Sequence, residues 1–225
     1  DPEERAASAA CLAFHSFYGQ ALKAAFADEL RAADRTVNRN GNLEALARLL
    51  ARPESLSAGE AYWDDVSTEE VEGAGATLAK AANAAGRALT QRFGSDVSAW
   101  LWGEAHTVTL AANLLSDAGI PSFNHGPFPN RGGLYSVDVA NPRDVVGGDF
   151  SHGAGASMRF VCELDGHPRC TMEVPGGQRH RRDSPHYDDL FRLWLTRTPT
   201  PMRFEELEVE AATVERVRFV PEVSP

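Results

Sequence analysis

The chain has 225 residues, of which 43% are hydrophobic and 24% are charged, and its formal net charge is −10. This composition is typical of a globular protein and is enough for one large domain or two small ones. The acidic balance argues against a nucleic-acid binder, which usually presents a basic face. No apolar run approaches the ~20 residues that a membrane helix needs.

The first part of the chain is predicted to be helical. Residues 2–33 are rich in Ala, Leu, Glu and Arg, with apolar positions at helical spacing. A shorter helix is predicted for residues 43–51. Ser67 and Glu70 have the spacing of a capping box, which predicts a further helix ending near Phe93.

After residue 97 glycine and proline become frequent and the apolar residues form short runs. Alternating patterns predict strands at 134–139, 157–164 and 170–174, and helices are predicted at 191–195 and 205–218. Helices followed by strands indicate an α+β fold. We therefore expect a helical region at residues 1–97 and a strand-rich region at residues 98–225.

Two cysteines flank a predicted hairpin turn. Cys162 and Cys170 lie on either side of Asp165-Gly166-His167-Pro168, which would place them opposite each other on adjacent strands. One interpretation is a disulfide formed in an oxidising compartment, and the equally weighted alternative is two buried thiols. The sequence leaves both open.

Residues with reactive side chains do not define a site by their spacing. Ser184, His186 and Asp188 are the residue types of a hydrolytic triad, but triad members converge from separate parts of a fold. Ser157 lacks the glycine spacing of a nucleophile elbow. The histidines and cysteines show no metal-ligand spacing, so no metal site is predicted.

Five segments of the second half resemble, in order, motifs of the penicillin acylase family. They are Trp100-Leu-Trp-Gly-Glu-Ala-His106, Pro127-Phe-Pro with Gly132-Gly133, Gly155-Ala-Ser-Met-Arg-Phe-Val-Cys-Glu-Leu164, Val174-Pro-Gly-Gly-Gln178 and Ser184-Pro-His-Tyr-Asp-Asp189. This ordered match over residues 100–195 is specific. The first hundred residues resemble the family only in being helical.

The resemblance implies an N-terminal-nucleophile hydrolase with a four-layer αββα sandwich. In such enzymes a precursor cuts itself into an α chain and a β chain, and the first serine of the β chain attacks an amide with its own amino group as base. Backbone N–H groups and an asparagine side chain hold the oxyanion. Residue 1 is aspartate, so we expect the nucleophile on another chain and this chain to be the C-terminal part of the β chain.

The resemblance also implies partners, a location and a substrate class. The expected partners are the α chain and the nucleophile-bearing N-terminal part of the β chain. The expected substrate is a small N-acyl compound, such as a β-lactam side-chain amide or an N-acyl-homoserine lactone, and the expected location is periplasmic or secreted. No cofactor is expected, apart from a structural calcium elsewhere in the full enzyme. The alternative is a non-catalytic binding or scaffold module that retains the acylase fold.

Candidate residues near the active site follow from the matched motifs. Glu163 is the candidate acid that orients a histidine beside the nucleophile, and the alternative is a solvent-facing strand carboxylate. His152 and Asn124 are candidates to reach the site from loops. Three aromatic residues are expected in the core rather than in an acyl pocket: Trp100, Trp102 and Phe128.

The remaining motif residues are expected to be structural. Gly176 and Gly177 would permit backbone angles that are closed to other residues. Ser184, His186 and Asp188 would tie the following segment to the sheet through hydrogen bonds.

Overall fold

The computed structural model describes residues 2–39, 43–51, 59–166, 169–179 and 181–221. The chain forms two compact units, Asp1–Gly155 and Ala156–Pro225. The first is mainly helical with a two-stranded sheet, and the second contains a three-stranded sheet, so the predicted α+β class is confirmed. The boundary after residue 97 and the four-layer sandwich stay predictions. Residue 1 and residues 167–168 of the predicted turn lie outside the described residues.

Long helices form the core of the first unit. Helix α1 spans Pro2–Ala32, α2 spans Leu43–Ala51 and α3 spans Ala74–Phe93, so the helices predicted at 2–33 and 43–51 are confirmed. Short 3₁₀ segments at Gly59–Trp63 and Val97–Ala99 flank α3. Within the described ranges, no helix is both long and apolar enough to cross a membrane.

Small residues let α1 pack closely against its neighbours. Leu12 and Leu22 of α1 are buried in one hydrophobic cluster with Ala81 and Leu89 of α3. A Cβ atom placed on Gly19 would lie 2.3 Å from the carbonyl oxygen of Val145, so only glycine allows this approach. The core of the first unit is therefore built on α1.

The predicted capping box at Ser67 is wrong. The Ser67 hydroxyl donates to the Asp65 carboxylate, and the helix begins only at Ala74, after the N-cap residue Gly73. Carboxylates organise the segment in between, since the backbone N–H of Asp65 donates to Glu72 at 3.0 Å. Local side-chain to backbone hydrogen bonds compete with helix formation at such positions.

A small sheet follows the long helices. Helix α4 spans Trp102–Ala105, strand β1 spans Thr107–Leu110, α5 spans Asn113–Asp117, a 3₁₀ segment spans Pro121–Phe123 and β2 spans His125–Pro129. Strands β1 and β2 are antiparallel, with Val108 opposite Phe128. The sequence did not predict either strand, because the glycine and prolines of His125-Gly-Pro-Phe-Pro129 are typical of a loop.

The strand predicted at residues 134–139 is wrong. This segment is a series of turns and bends, with an isolated bridge between Gly133 and Val139 and a positive φ of 57° at Tyr135. The Ser136 hydroxyl donates to the carbonyl of Gly133 at 3.0 Å, which closes the segment on itself. Alternating apolar residues therefore occur here on a loop.

The second unit contains an antiparallel sheet and two helices. Strand β3 spans Arg159–Glu163, β4 spans Arg169–Glu173, α6 spans Asp189–Thr196, β5 spans Thr200–Pro201 and α7 spans Glu206–Ala212. The sheet order is β3-β4-β5. The predicted strands at 157–164 and 170–174 and the helix at 191–195 are confirmed. The helix predicted at 205–218 ends early, because the β-branched residues after Ala212 are weak helix formers.

A disulfide joins the first two strands of this sheet. Cys162 and Cys170 occupy directly opposed positions of the antiparallel pair, with their Cα atoms 4.1 Å apart, and their sulfurs are bonded. Of the two interpretations that the sequence left open, the structure shows the disulfide.

Arg159 and Trp194 form the centre of the second unit. The Arg159 guanidinium lies 4.6 Å from the Trp194 ring centroid and donates to the Glu173 carboxylate and to the Trp194 carbonyl, each at 2.8 Å. The buried Trp194 indole donates to the carbonyl of Ala156 at 2.9 Å. These contacts connect strands β3 and β4 to helix α6.

Candidate functional site

Four buried aromatic rings stack in a column inside the first unit. The rings of His15 and Trp102 are 4.4 Å apart, those of Trp102 and His106 are 4.4 Å apart, and those of His106 and His152 are 4.4 Å apart. All four residues are buried. We call these four residues the ring stack, and it brings together three histidines that are far apart in the sequence.

The first ring of the stack belongs to helix α1. His15 Nδ1 lies 2.8 Å from the carbonyl oxygen of Cys11, and Nε2 lies 3.2 Å from the backbone nitrogen of Leu134. The carbonyl can only accept and the N–H can only donate, so Nδ1 carries the proton and His15 is neutral. Burial lowers the pKa of His15, which favours the same neutral form.

Trp102 connects α4 to the loop beyond β2. Its indole N–H donates to the carbonyl of Gly132 at 2.8 Å, and its backbone N–H donates to the Ser8 hydroxyl at 2.5 Å. A Cβ placed on Gly133 would lie 2.9 Å from the His15 ring, so glycine is needed where the loop passes the stack. Trp100 and Trp102 are both buried, as expected, but the prediction that Phe128 lies in the core is wrong, because this side chain on the two-stranded sheet is 42% exposed.

The third ring, His106, lies deepest. Its Nδ1 is 2.7 Å from the carbonyl of Phe150, and its buried Nε2 has no hydrogen-bond partner among the described residues. The backbone of Phe150 and that of Arg131 both act to raise its pKa. Burial, followed by the nearby ring of His152, lowers the pKa of His106 to about 4. His106 is therefore neutral at pH ~7.

His152 completes the stack and links it to the sheet. Its Nδ1 lies 2.9 Å from the carbonyl of Ala154, and its Nε2 lies 3.0 Å from the side-chain nitrogen of Asn130. Its backbone N–H donates to Thr107 at 2.8 Å, and its carbonyl accepts from Thr109 at 3.0 Å. The segment around His152 thus lies along strand β1.

The geometry of the stack favours holding segments together over proton transfer with a solvent-exposed substrate. Buried neutral imidazoles with backbone partners position loops, as the hydrogen bonds of His15 and His106 do here. In the described part of the chain, no group of three or more His, Cys, Asp and Glu side chains is arranged to hold a metal ion. We assign no metal to these residues.

Of the three candidates from the sequence, only His152 joins the ring stack. Asn124 lies elsewhere in the first unit, where its Oδ1 accepts from the backbone N–H of Ala112 at 3.0 Å and from the Ser116 hydroxyl at 2.7 Å. These bonds hold the short α5 helix against the segment before β2.

Glu163 lies at the end of strand β3 in the second unit. Its side chain is 65% exposed, and its carboxylate accepts from Arg169 at 2.6 Å. An exposed pair of this kind contributes little to stability. The carboxylate remains accessible from outside the unit.

The two glycines of the Pro-Gly-Gly turn have separate backbone requirements. Gly176 has a φ of 100°, and a Cβ placed on Gly177 would lie 2.3 Å from the carbonyl of His186. The carbonyl of Gly176 accepts from the backbone N–H of Phe191 at 2.7 Å. Backbone contacts therefore join this turn to the start of α6.

Ser184, His186 and Asp188 do not form a triad. The Ser184 hydroxyl accepts from the backbone N–H of His186 at 3.2 Å, and the His186 ring pairs with Asp189 at 2.8 Å. Asp188 lies 3.7 Å from Arg192. Each side chain therefore has a different local partner, and the sheet-tying roles proposed for them stay predictions.

Sequence reasoning missed His15, His106 and Asn130 as members of this site. A partial signal was present, because Trp102 and His106 are four residues apart and lie on one face of a helical turn. The partners from α1 and from the loops are far away in sequence, so no local pattern could connect them.

The sequence of the chain also matches a known protein family over most of its length. The sequence profile of the family described as penicillin amidase matches residues 1–211. The chain therefore belongs to the penicillin amidase family, which confirms the resemblance found in its motifs.

Two individual relatives of the chain are acylases from Pseudomonas species. The chain is 27% identical over 215 residues to the acyl-homoserine lactone acylase QuiP of Pseudomonas aeruginosa, covering 87% of this chain and 25% of that protein. It is 30% identical over 135 residues to the acyl-homoserine lactone acylase QuiP of Pseudomonas syringae pv. syringae, covering 59% of this chain and 16% of that protein. The chain thus spans about a quarter or less of the length of the curated relatives it matches.

Proposed function

We propose that this chain is the C-terminal part of an amidohydrolase whose nucleophile is the N-terminal serine of a companion polypeptide. The observation that carries the proposal is the family match over residues 1–211.

In the proposed reaction the serine hydroxyl attacks the carbonyl carbon of an amide while the serine amino group takes its proton. The tetrahedral oxyanion collapses, the C–N bond breaks, and the leaving amine receives that proton. Water then attacks the resulting ester, which releases the carboxylic acid and restores the serine. This chain would supply part of the scaffold that holds the companion's nucleophile.

The proposed substrate class is N-acyl-homoserine lactones. Both relatives described above are acyl-homoserine lactone acylases, which supports this class over β-lactam side-chain amides. We also propose a periplasmic or secreted location, and the Cys162–Cys170 disulfide supports it because disulfides persist in oxidising compartments.

Among the candidate site residues, we propose Glu163 as the acid that acts toward the companion chain. Its exposed carboxylate can be reached by another polypeptide, whereas His152 and Asn124 are engaged within the first unit. In the assembled enzyme, Glu163→Gln should lower kcat with little change in stability. Asp165→Asn is the matched control, because Asp165 pairs with the same Arg169.

The test begins with the mature protein and every polypeptide that co-purifies with it. Their N-terminal residues are determined, and hydrolysis is measured on N-acyl-homoserine lactones of short and long acyl chain and on a phenylacetyl amide. We expect a companion that begins with serine, and loss of hydrolysis when that serine is replaced by alanine. Undiminished hydrolysis in the alanine variant would refute the mechanism.

Two other outcomes distinguish the alternatives. Hydrolysis of the phenylacetyl amide alone would keep the mechanism and reject the substrate class. A protein with no companion and no hydrolysis of any of these amides would favour the non-catalytic scaffold.

A further inference from the structure

The ring stack ties four separate segments of the first unit to one column. His15 belongs to α1, Trp102 and His106 belong to the α4–β1 segment, and His152 belongs to the segment beside β1. The loop after β2 is attached through the indole of Trp102 and the amide of Asn130.

We propose that the ring stack is an acid-sensitive latch, which holds these segments together while its three imidazoles are neutral and releases them when acidification protonates the imidazoles. The proposal rests on residues of the first unit alone and does not depend on the proposed amidase reaction.

Hydrogen-bond geometry disfavours an extra proton on His15 and on His152, and burial disfavours one on His106. His15 Nε2 faces the backbone N–H of Leu134, so a proton there would set two donors against each other. His106 Nε2 is buried without a hydrogen-bond partner among the described residues, and the Arg131 backbone, which raises the pKa of this ring, offsets only part of the effect of burial. His152 Nε2 meets the side-chain nitrogen of Asn130, which is again a donor in this arrangement. Placing two donors together in a buried site loses the hydrogen bond and leaves the desolvation cost of both groups uncompensated.

Positive charges near the stack also disfavour protonation of its imidazoles. Both groups that act on His106 through their charge, His152 and His15, become cations on protonation. Next to His152, the Arg143 guanidinium lies 3.3 Å from the position of a Cβ on Gly153. The Arg131 backbone acts in the opposite direction, since it raises the pKa of His106, but its effect is smaller than that of burial. Each added proton on His106 is therefore repelled by protonated neighbours, and a guanidinium already lies beside the residue that follows His152.

The stability that the ring stack gives the folded chain decreases as the pH falls, because folding and proton binding are linked. The pKa of His106 falls from 6.5 to about 4 on folding, so the unfolded chain binds more protons in that window. Stability is fully present above pH ~6.5 and is lost as the pH falls toward ~4. His15, whose pKa is also lowered by burial, contributes with the same sign.

The test measures the urea unfolding midpoint of the mature protein, with its co-purifying polypeptides, at pH ~7 and pH ~5. We expect the wild-type midpoint to fall on acidification. His106→Phe keeps an aromatic ring in the stack but cannot titrate, and we expect it to reduce that fall by at least about half. In the control variant His186→Gln, which changes a histidine whose side chain is 61% exposed, the fall should persist. An unchanged wild-type midpoint, or an equal fall in His106→Phe, would overturn the latch.

A second measurement covers the case in which His106→Phe does not fold. Histidine side chains of the wild-type protein are labelled with ¹⁵N, and their ring resonances are followed by NMR as the pH is lowered. We expect the three buried rings to keep neutral Nδ1–H signals until unfolding begins. Reversible titration of these rings near pH ~6.5 in the folded protein would reject the proposal.

Discussion

The two units of the chain hold their central tryptophans in opposite surroundings. Trp102 lies between the neutral rings of His15 and His106, at 4.4 Å from each. Trp194 lies beneath the guanidinium of Arg159, at 4.6 Å. The neighbours of the first indole can gain charge as the pH falls, whereas arginine is charged at every physiological pH. Two similarly buried tryptophans can therefore have surroundings that differ in their dependence on pH.

The polar contacts of the two units also differ in their dependence on pH. In the first unit, hydrogen bonds of neutral rings to backbone groups join the segments, as at His15 and His106. In the second unit, an ion pair of Arg159 with Glu173 and a disulfide join the strands. Acid should therefore weaken the first unit before the second.

The largest expected effects come from truncating the two tryptophans. Trp102→Ala and Trp194→Ala should each lower the free energy of unfolding by about 4 kcal/mol, since both remove a buried indole and its hydrogen bond. Only Trp102→Ala should alter the pH dependence of unfolding. Urea titrations at pH ~7 and ~5 would check both statements.

The corresponding phenylalanine variants are the controls, because they keep one aromatic ring at each position while losing the indole N–H bond and part of the buried ring volume. Equal pH dependence in the two alanine variants would show that the proposed contrast between the units is wrong.

The second prediction concerns the cation of the second unit. Arg159→Met should lower the free energy of unfolding by about 3 kcal/mol, because it leaves the Glu173 carboxylate, with 9% side-chain exposure, without this partner. Denaturant unfolding measures the loss. Adding Glu173→Gln should recover part of it, and a double variant as unstable as the sum of the single variants would contradict the coupling.

Regular periodicity explains which elements could be predicted from the sequence. The helices at 2–33 and 43–51 were recovered because their apolar residues recur at helical spacing. Strands β3 and β4 were recovered because their residues alternate. Strand β2 was missed, since its glycine and prolines argue for a loop and only pairing with β1 makes it a strand.

The site was harder to predict than the fold because its contacts are not local. The four rings of the stack come from positions 15, 102, 106 and 152, and only Trp102 and His106 are close in sequence. His152 was named as a candidate, but the sequence did not show that burial would enclose it. The motif resemblance identified the family without indicating which side chains meet.

The third prediction concerns the disulfide of the second unit, whose contribution to stability should not depend on pH. Replacing Cys162 and Cys170 together by serine should lower the free energy of unfolding by about 2.5 kcal/mol, the value expected for closing a loop with a sequence separation of 8. The loss should be equal at pH ~7 and ~5, because the bonded cysteines do not titrate. Cys11→Ser is the control for a free cysteine. A loss that grows on acidification would contradict a purely covalent contribution.

The smallest expected effect is an opposite pH dependence within the first unit. Glu29 of α1 has a buried Oε2 atom with no hydrogen-bond partner in the described part of the chain. Burial, then the neighbouring Asp28, raises the pKa of Glu29 from 4.5 to about 7. Between pH 4.5 and about 7 the folded chain binds more protons than the unfolded chain. The stability contributed by Glu29 is therefore lost as the pH rises through ~7.

Glu29→Gln should therefore raise the free energy of unfolding at pH ~8, by less than about 1 kcal/mol because water partly screens this half-buried group. The thermal unfolding midpoint at pH ~5 and ~8 measures the change, and exposed Glu70→Gln is the control. No gain at pH ~8 would exclude a protonated Glu29. With the gain, the first unit would carry an alkaline-sensitive carboxyl as well as an acid-sensitive ring stack. Its stability would then be greatest near neutral pH, while the arginine and the disulfide make the second unit less dependent on pH.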